Sequence, residues 1–256
     1  MSESPLAHPT LSERYFLSPF GMVDDPHWVV TKDGNRLACL SAKNEKANLC
    51  LVHFHGNAGL ASNYQGTFSQ RLRAMGLAVV LAEYRGFGQS TGKANLLTML
   101  DDVEDIAYST GYQAENIIFM GRSAGSIYAL EAVWRFPNAA GLVLESAIAD
   151  MAERIELRVR PDEINCSREL MLAEISKYFN HREKISQFKG PKLIMHTQAD
   201  TTVVQSHAQR LFDWASTPKE IVLFERGNHR NIIEANWVPY MDSLHRFVQN
   251  INARQT

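Results

Sequence analysis

Residues 119–126 read Phe-Met-Gly-Arg-Ser-Ala-Gly-Ser, and the segment 121–125 fits G-x-S-x-G. Five residues of this pattern are weak evidence alone, since chance supplies them in roughly one chain in ten of this length. The flanks carry more weight. Ile117–Met120 is a short apolar run, and from Ala124 onward Ile127, Leu130 and Trp134 recur at helical spacing until Pro137. A strand entering and a helix leaving a glycine-flanked serine is the context of a nucleophile elbow. There the serine stands at the strand's C-terminal end, beside a helix N-terminus that favours developing negative charge. The bland alternative is a glycine-rich βα turn with Ser123 as a helix cap.

Outward from this point the chain alternates. Apolar runs at Leu49–Phe54, Ala78–Ala82, Ile117–Met120, Leu142–Leu144, Lys192–Met195 and Ile221–Phe224 have no polar side. Strands buried on both faces read this way, and they form parallel sheets. Helical stripes fall between them: Tyr64, Phe68, Leu72 and Met75; Leu96 to Ala107; Val204, Ala208, Leu211 and Phe212; and Trp237 to Ile251. Strand–helix alternation implies βαβ units and a sheet covered on both faces. His27–Thr31 and Arg36–Ser41, joined by Lys-Asp-Gly-Asn, are expected to form an N-terminal antiparallel hairpin. The first 20 or so residues read as a loosely packed lead-in. Residues 150–189 contain helical, charged sequence without a strand and are expected to be a small cap inserted in a single α/β domain spanning residues 1–256.

The 256 residues are 45% hydrophobic and 21% charged, with a formal net charge of −2. This balance gives no reason to expect nucleic acid or an anionic membrane as a partner. No apolar stretch reaches the length needed to cross a bilayer, and the N-terminus shows no secretory pattern. Three cysteines without CxxC spacing fit reduced thiols in the cytoplasm. The oligomeric state is not encoded in any readable pattern.

A nucleophilic serine needs a base, and the base needs an orienting acid. Of nine histidines, His229 lies in a polar loop after the last apolar run, where α/β proteins place their sites. His207 and His245 fall inside helical patterns and read as partly exposed structural residues; His196 extends a buried strand and reads as a core residue. Asp200 follows the run Lys192–Met195 in the loop 196–200. The order Ser123, Asp200, His229 is that of the α/β-hydrolase triad. Asp150, after the preceding strand and with Glu145 behind it, is the rival acid. The small-residue loop in His53-Phe54-His55-Gly56-Asn57-Ala58-Gly59 follows a strand end and suits backbone donors for an oxyanion, with the Ala124 amide as the second donor. His53 and His55 also form H-x-H, with both rings expected on one face. That pair can begin a metal site, but no further ligand follows it, so packing beside the loop is the preferred reading and neither metal nor cofactor is expected.

Taken together, HFHGNAG (53–59), EYRGFGQSTG (83–92), GRSAG (121–125), HTQADTTVV (196–204) and GNH (227–229) resemble the α/β-hydrolase superfamily. The resemblance is to small-cap serine hydrolases with an H-G-N-A loop, a group that includes esterase and depalmitoylase-like members, and it runs from about residue 27 to 251. It implies Ser123 as nucleophile, Asp200 as acid, His229 as base, and the amides of Asn57 and Ala124 as the oxyanion hole. It implies a serine hydrolase acting on small-molecule or acylated esters or thioesters, with amide cleavage, acyl transfer or a purely binding role as alternatives. The chain departs from the family at Thr197, where glycine is usual, and this keeps Asp150 open. Arg154, Arg158 and Arg160 of the cap suit either an anionic substrate or an ion-paired solvated face.

Overall fold

A computed structural model describes residues 4–255. The strands are β1 (His27–Val30), β2 (Arg36–Ala42), β3 (Leu49–Phe54), β4 (Leu77–Ala82), β5 (Ile117–Arg122), β6 (Gly141–Glu145), β7 (Lys192–Thr197) and β8 (Lys219–Phe224). The helices are α1 (Pro9–Tyr15), α2 (Thr67–Ala74), α3 (Thr98–Ser109), α4 (Gly125–Arg135), α5 (Met151–Glu156), α6 (Arg168–Tyr178), α7 (His181–Gln187), α8 (Ser206–Trp214), α9 (Ile232–Ala235) and α10 (Trp237–Gln255). The strands form one sheet in the order β1-β2-β4-β3-β5-β6-β7-β8. The β1–β2 and β2–β4 pairs are antiparallel, and β4 through β8 pair in parallel. Every apolar run singled out in the sequence is a strand of this sheet.

The all-apolar reading of the central strands has a direct cause. Along β3, Cys50, Val52 and Phe54 enter one apolar layer while Leu49 and Leu51 enter the other. Both layers exclude water, so neither side of the pleat tolerates a run of polar residues. Full burial of each such side chain contributes about 1.5–3 kcal/mol. The first layer packs α3 and α4 against the sheet and the second packs α2 and α10. Pro239 sits in the first turn of α10, where its missing N–H leaves no intrahelical bond unmade.

Three expectations change. The N-terminal segment is not a loose lead-in: Leu6, Leu11, Tyr15 and Phe16 are buried in the first layer. Proline starts α1 at its first position, and the apolar side chains of this short helix dock without the long periodic run that marks a helix in sequence. The stripe Tyr64–Met75 is not one helix; a 3₁₀ turn at Ala61–Tyr64 precedes α2, with Gly66 between them as the α2 N-cap. The segment 150–189 is helical as expected, comprising α5, a 3₁₀ turn at Pro161–Ile164, α6 and α7.

Candidate active site

The strand-to-helix turn at Ser123 is built by exclusion. A β-carbon on Gly125 would lie 2.1 Å from the Phe54 carbonyl oxygen, and one on Gly121 would lie 2.5 Å from the Gly125 carbonyl oxygen. No side chain fits in either place, so the start of α4 approaches both β5 and the end of β3 as closely as backbone permits. Ser123 takes a left-handed conformation, φ 51°, which costs a non-glycine residue of order 1–3 kcal/mol. Its N–H donates to the Glu145 carbonyl at 2.9 Å, which ties the turn to β6. The result is a serine held at the C-terminal edge of the sheet and only 8% exposed.

Ser123 Oγ lies 2.8 Å from His229 Nε2, and His229 Nδ1 lies 2.7 Å from Asp200 Oδ2. Residues 123, 200 and 229 come from the ends of three parallel strands, so the sheet itself converges them. The Asp200 carboxylate is buried, and its other oxygen, Oδ1, accepts from the N–H groups of Thr202 and Val203 at 2.9 and 2.8 Å. Burial pushes its pKa up, but the hydrogen bond and charge of His229, the Val203 N–H and His196 together hold it below the ordinary carboxylate value. Thr197 does not disturb this loop. It ends β7, and its hydroxyl donates to the Gly227 carbonyl at 3.1 Å, joining the Asp200 loop to the His229 loop. His196 is buried with Nε2 on the Val203 carbonyl, and burial lowers its pKa.

Asp150 stands apart from His229. It caps α5, accepting from the N–H groups of Ala152 and Glu153, with Arg210 nearby. Glu145 is fully buried and held by Arg122 Nε at 2.7 Å and the Tyr240 hydroxyl at 2.6 Å. Arg122, the first variable residue of the G-x-S-x-G segment, also donates from Nη2 to the carbonyl oxygens of His229 and Arg230 at 2.8 and 3.3 Å. Nothing in the sequence marked this arginine, because Glu145 lies 23 positions away and the two carbonyls more than 100.

The loop after β3 presses on the serine; a β-carbon on Gly56 would sit 3.3 Å from Ser123 Cβ. Among the described residues neither the Asn57 nor the Ala124 N–H has a hydrogen-bond acceptor, and both residues line one cleft of about 500 Å³ with Ser123 and His229. The loop is anchored at two points. His55 places Nδ1 on the Gly56 carbonyl and Nε2 on Glu83, both at 2.8 Å. The Asn57 side chain donates to the Tyr15 carbonyl and accepts from the Leu17 N–H. His53 and His55 do not share a face. The chain leaves β3 after Phe54, so His53 stacks on Tyr64 and Phe68 in one layer, while His55 stacks on Tyr84 and Phe87 in the other. They make no metal-binding pair. His207 is buried rather than partly exposed, accepting at Nδ1 from the Ala149 N–H.

Against known families, the model of the serine aminopeptidase S33 family matches residues 45–183, more than half of the chain. The chain is an α/β-hydrolase of that family. Among its relatives, human alpha/beta hydrolase domain-containing protein 17B is 27% identical over 227 residues, covering 85% of this chain and 73% of the relative. The uncharacterized protein YfhR of Escherichia coli K12 is 26% identical over 209 residues, 77% of this chain and 70% of the relative. Similar solved structures include Est1E of Butyrivibrio proteoclasticus bound to ferulic acid, with a TM-score of 0.73 at 16% identity, covering 88% of this chain and 99% of that one. The Pyrococcus furiosus esterase Pf2001 gives 0.72 at 14% identity, covering 92% and 98%. This α/β-hydrolase keeps the mostly parallel sheet of those proteins. Among the described residues it has no helix long and apolar enough to cross a membrane.

Proposed function

We propose that this α/β-hydrolase cleaves carboxylic esters or thioesters through a Ser123–His229–Asp200 triad and an acyl-enzyme. The observation that carries this reading is the unbroken chain of two short contacts, Ser123 Oγ to His229 Nε2 at 2.8 Å and His229 Nδ1 to Asp200 Oδ2 at 2.7 Å. In this mechanism His229 takes the Ser123 proton as Oγ attacks the acyl carbonyl, then delivers it to the leaving alcohol or thiol. Asp200 fixes the tautomer that presents Nε2 as acceptor and stabilises the imidazolium. The amides of Asn57 and Ala124 receive the oxyanion, each contributing about 3–4 kcal/mol to the transition state. Water repeats the sequence on the acyl-enzyme. Of the inserted helices α5–α7, it is α5 and the turn after it that border the serine's cleft, through Arg154 and Arg158. The esterases among the fold neighbours and the unoccupied Asn57 and Ala124 donors support the assignment.

The test is labelling with a fluorophosphonate, which reacts with activated serines. Modification mapped to Ser123 and lost in Ser123→Ala is the expected result. Folded protein that takes up no label at Ser123 overturns the triad.

A further inference from the structure

The cleft that holds Ser123 is unevenly charged. Four arginines and one glutamate line it. Arg122 is neutralised by Glu145, and Arg230 is exposed to solvent, with the cleft's glutamate, Glu234, four residues on. Arg154 and Arg158, projecting from α5 and the turn after it, are not neutralised: among the described residues neither guanidinium has a carboxylate within ion-pair distance. The third arginine of this segment, Arg160, behaves as a solvated face residue and pairs with Asp162. Two adjacent unpaired cations in a partly buried cleft repel one another, and that repulsion persists unless an anion enters. Burial, and after it the charge of Arg158, lower the Arg154 pKa from its ordinary value.

Both side chains are fixed in place. Arg154 Nη1 donates to the Thr202 carbonyl at 2.8 Å, two residues beyond Asp200. Arg158 Nη1 donates to the Arg154 carbonyl at 2.7 Å, and its guanidinium lies over the Tyr15 ring, 4.8 Å from the centroid. Tyr15 in turn accepts from Asn57 through its carbonyl. One arginine is therefore tied to the acid loop and the other to the support of the loop that presses on Ser123. Each uses one Nη1 in these bonds and keeps further N–H donors for a ligand. Preorganised guanidinium pairs match the planar or tetrahedral oxygens of carboxylates and phosphates.

Resting on the hydrolase reading above, we infer that Arg154 and Arg158 form an anion subsite, so that the substrates are esters or thioesters carrying a carboxylate or phosphate beside the scissile acyl group. The group is recognised before chemistry and orients the carbonyl toward Ser123. A neutral ester of the same shape leaves two cleft cations uncompensated.

The experiment compares matched pairs: monoethyl glutarate against ethyl pentanoate for a carboxylate on the acyl side, and 2-acetoxyethyl phosphate against 2-methoxyethyl acetate for a phosphate on the alcohol side. Binding is measured by calorimetry on full-length Ser123→Ala protein, and kcat/KM on protein with Ser123 intact. The charged member of at least one pair is expected to bind roughly ten- to a hundredfold more tightly. The pair that shows the gain identifies the anion. Combining Arg154→Gln with Arg158→Gln should bring the charged-to-neutral ratio close to one, and the Arg154→Lys, Arg158→Lys protein, which keeps both charges, should retain part of it. The lysine protein and the salt dependence of the ratio carry the test if the glutamine protein does not fold. Charged and neutral members that bind alike in both pairs overturn the subsite, whatever the rate of hydrolysis. Tight, arginine-dependent binding by a protein that neither labels at Ser123 nor cleaves any ester would instead overturn the hydrolase reading and leave the subsite standing.

Discussion

Arg122→Met isolates the most connected side chain of the site that does not touch the reacting atoms. In the native protein its guanidinium neutralises Glu145, which is fully buried, and holds two carbonyl oxygens of the His229 loop. Methionine fills much of the space but leaves Glu145 with the Tyr240 hydroxyl as its remaining partner. Breaking a buried ion pair by removing one member costs about 3–5 kcal/mol. The two loop carbonyls border the solvent and regain water, so they add little to that figure. Freed of its clamp, His229 drifts from Ser123, and a displacement of about 1 Å costs on the order of a hundredfold in rate. Urea denaturation and kcat/KM for a p-nitrophenyl ester measure the two effects separately. Glu145→Gln supplies the control, since the double variant no longer buries an unpaired charge. The two substitutions should therefore couple by about 1–3 kcal/mol in stability. Strict additivity, or an Arg122→Met protein with native stability and native kcat/KM, would refute this account.

Other consequences are open to direct measurement. Asp200→Asn should lower kcat by roughly ten-thousandfold through the wrong His229 tautomer, whereas Asp150→Ala should leave kcat within a few fold and cost about 0.5–2 kcal/mol of stability as a lost helix cap; the reverse ranking would exchange the two roles. Gly125→Ala should prevent folding or move Ser123, because its β-carbon would lie 2.1 Å from the Phe54 carbonyl oxygen; a stable, fully active alanine protein would contradict the elbow geometry. His181 is buried, and burial lowers its pKa from 6.5 to about 3. Because its folded value is the depressed one, its contribution is complete above about pH 6.5 and is lost as pH falls toward 3, amounting to about 2–3 kcal/mol by pH 4.5. His53, His196 and His207 shift in the same direction. Denaturation midpoints followed from pH 7 to 4.5 should fall steeply, and His181→Asn should flatten the slope; parallel slopes would rule out His181 as a contributor.

The parts of the molecule that were legible in the sequence are those whose physics is local. A strand buried on both faces must be apolar throughout, so β3 to β8 announce themselves. The glycines at 121 and 125 are readable because nothing else fits where α4 passes β5 and the end of β3. Asp200 and His229 stand out as candidates by their order and by lying in loops past strand ends, while the distances that join them to Ser123 are tertiary. What stayed hidden depends on partners far along the chain. Arg122 meets carbonyls at 229 and 230, and the N-terminal segment contributes only four scattered apolar residues, each of which finds a prepared place in a layer formed by later elements. His55 was misplaced because alternation holds only while a strand lasts, and β3 stops one residue earlier.

The contact of the N-terminal arm with the Asn57 side chain bears on how such a chain can diverge. The arm touches the Asn57 loop through the Tyr15 carbonyl and the Leu17 N–H, main-chain groups that almost any residue supplies. Selection can therefore rewrite an exposed side chain of this arm such as Leu17, changing what lies at the cleft, while Leu6, Leu11, Tyr15 and Phe16 stay packed and the brace on the loop persists. The family model that matches this chain begins at residue 45, so the arm lies wholly outside the stretch it describes. A product of translation restarting at Met22 would retain Ser123, Asp200 and His229 and lose the brace together with the buried side chains of Leu6, Leu11, Tyr15 and Phe16. A change of start codon would therefore strip core packing and the support of the Asn57 loop in one step, with no substitution at any of the three.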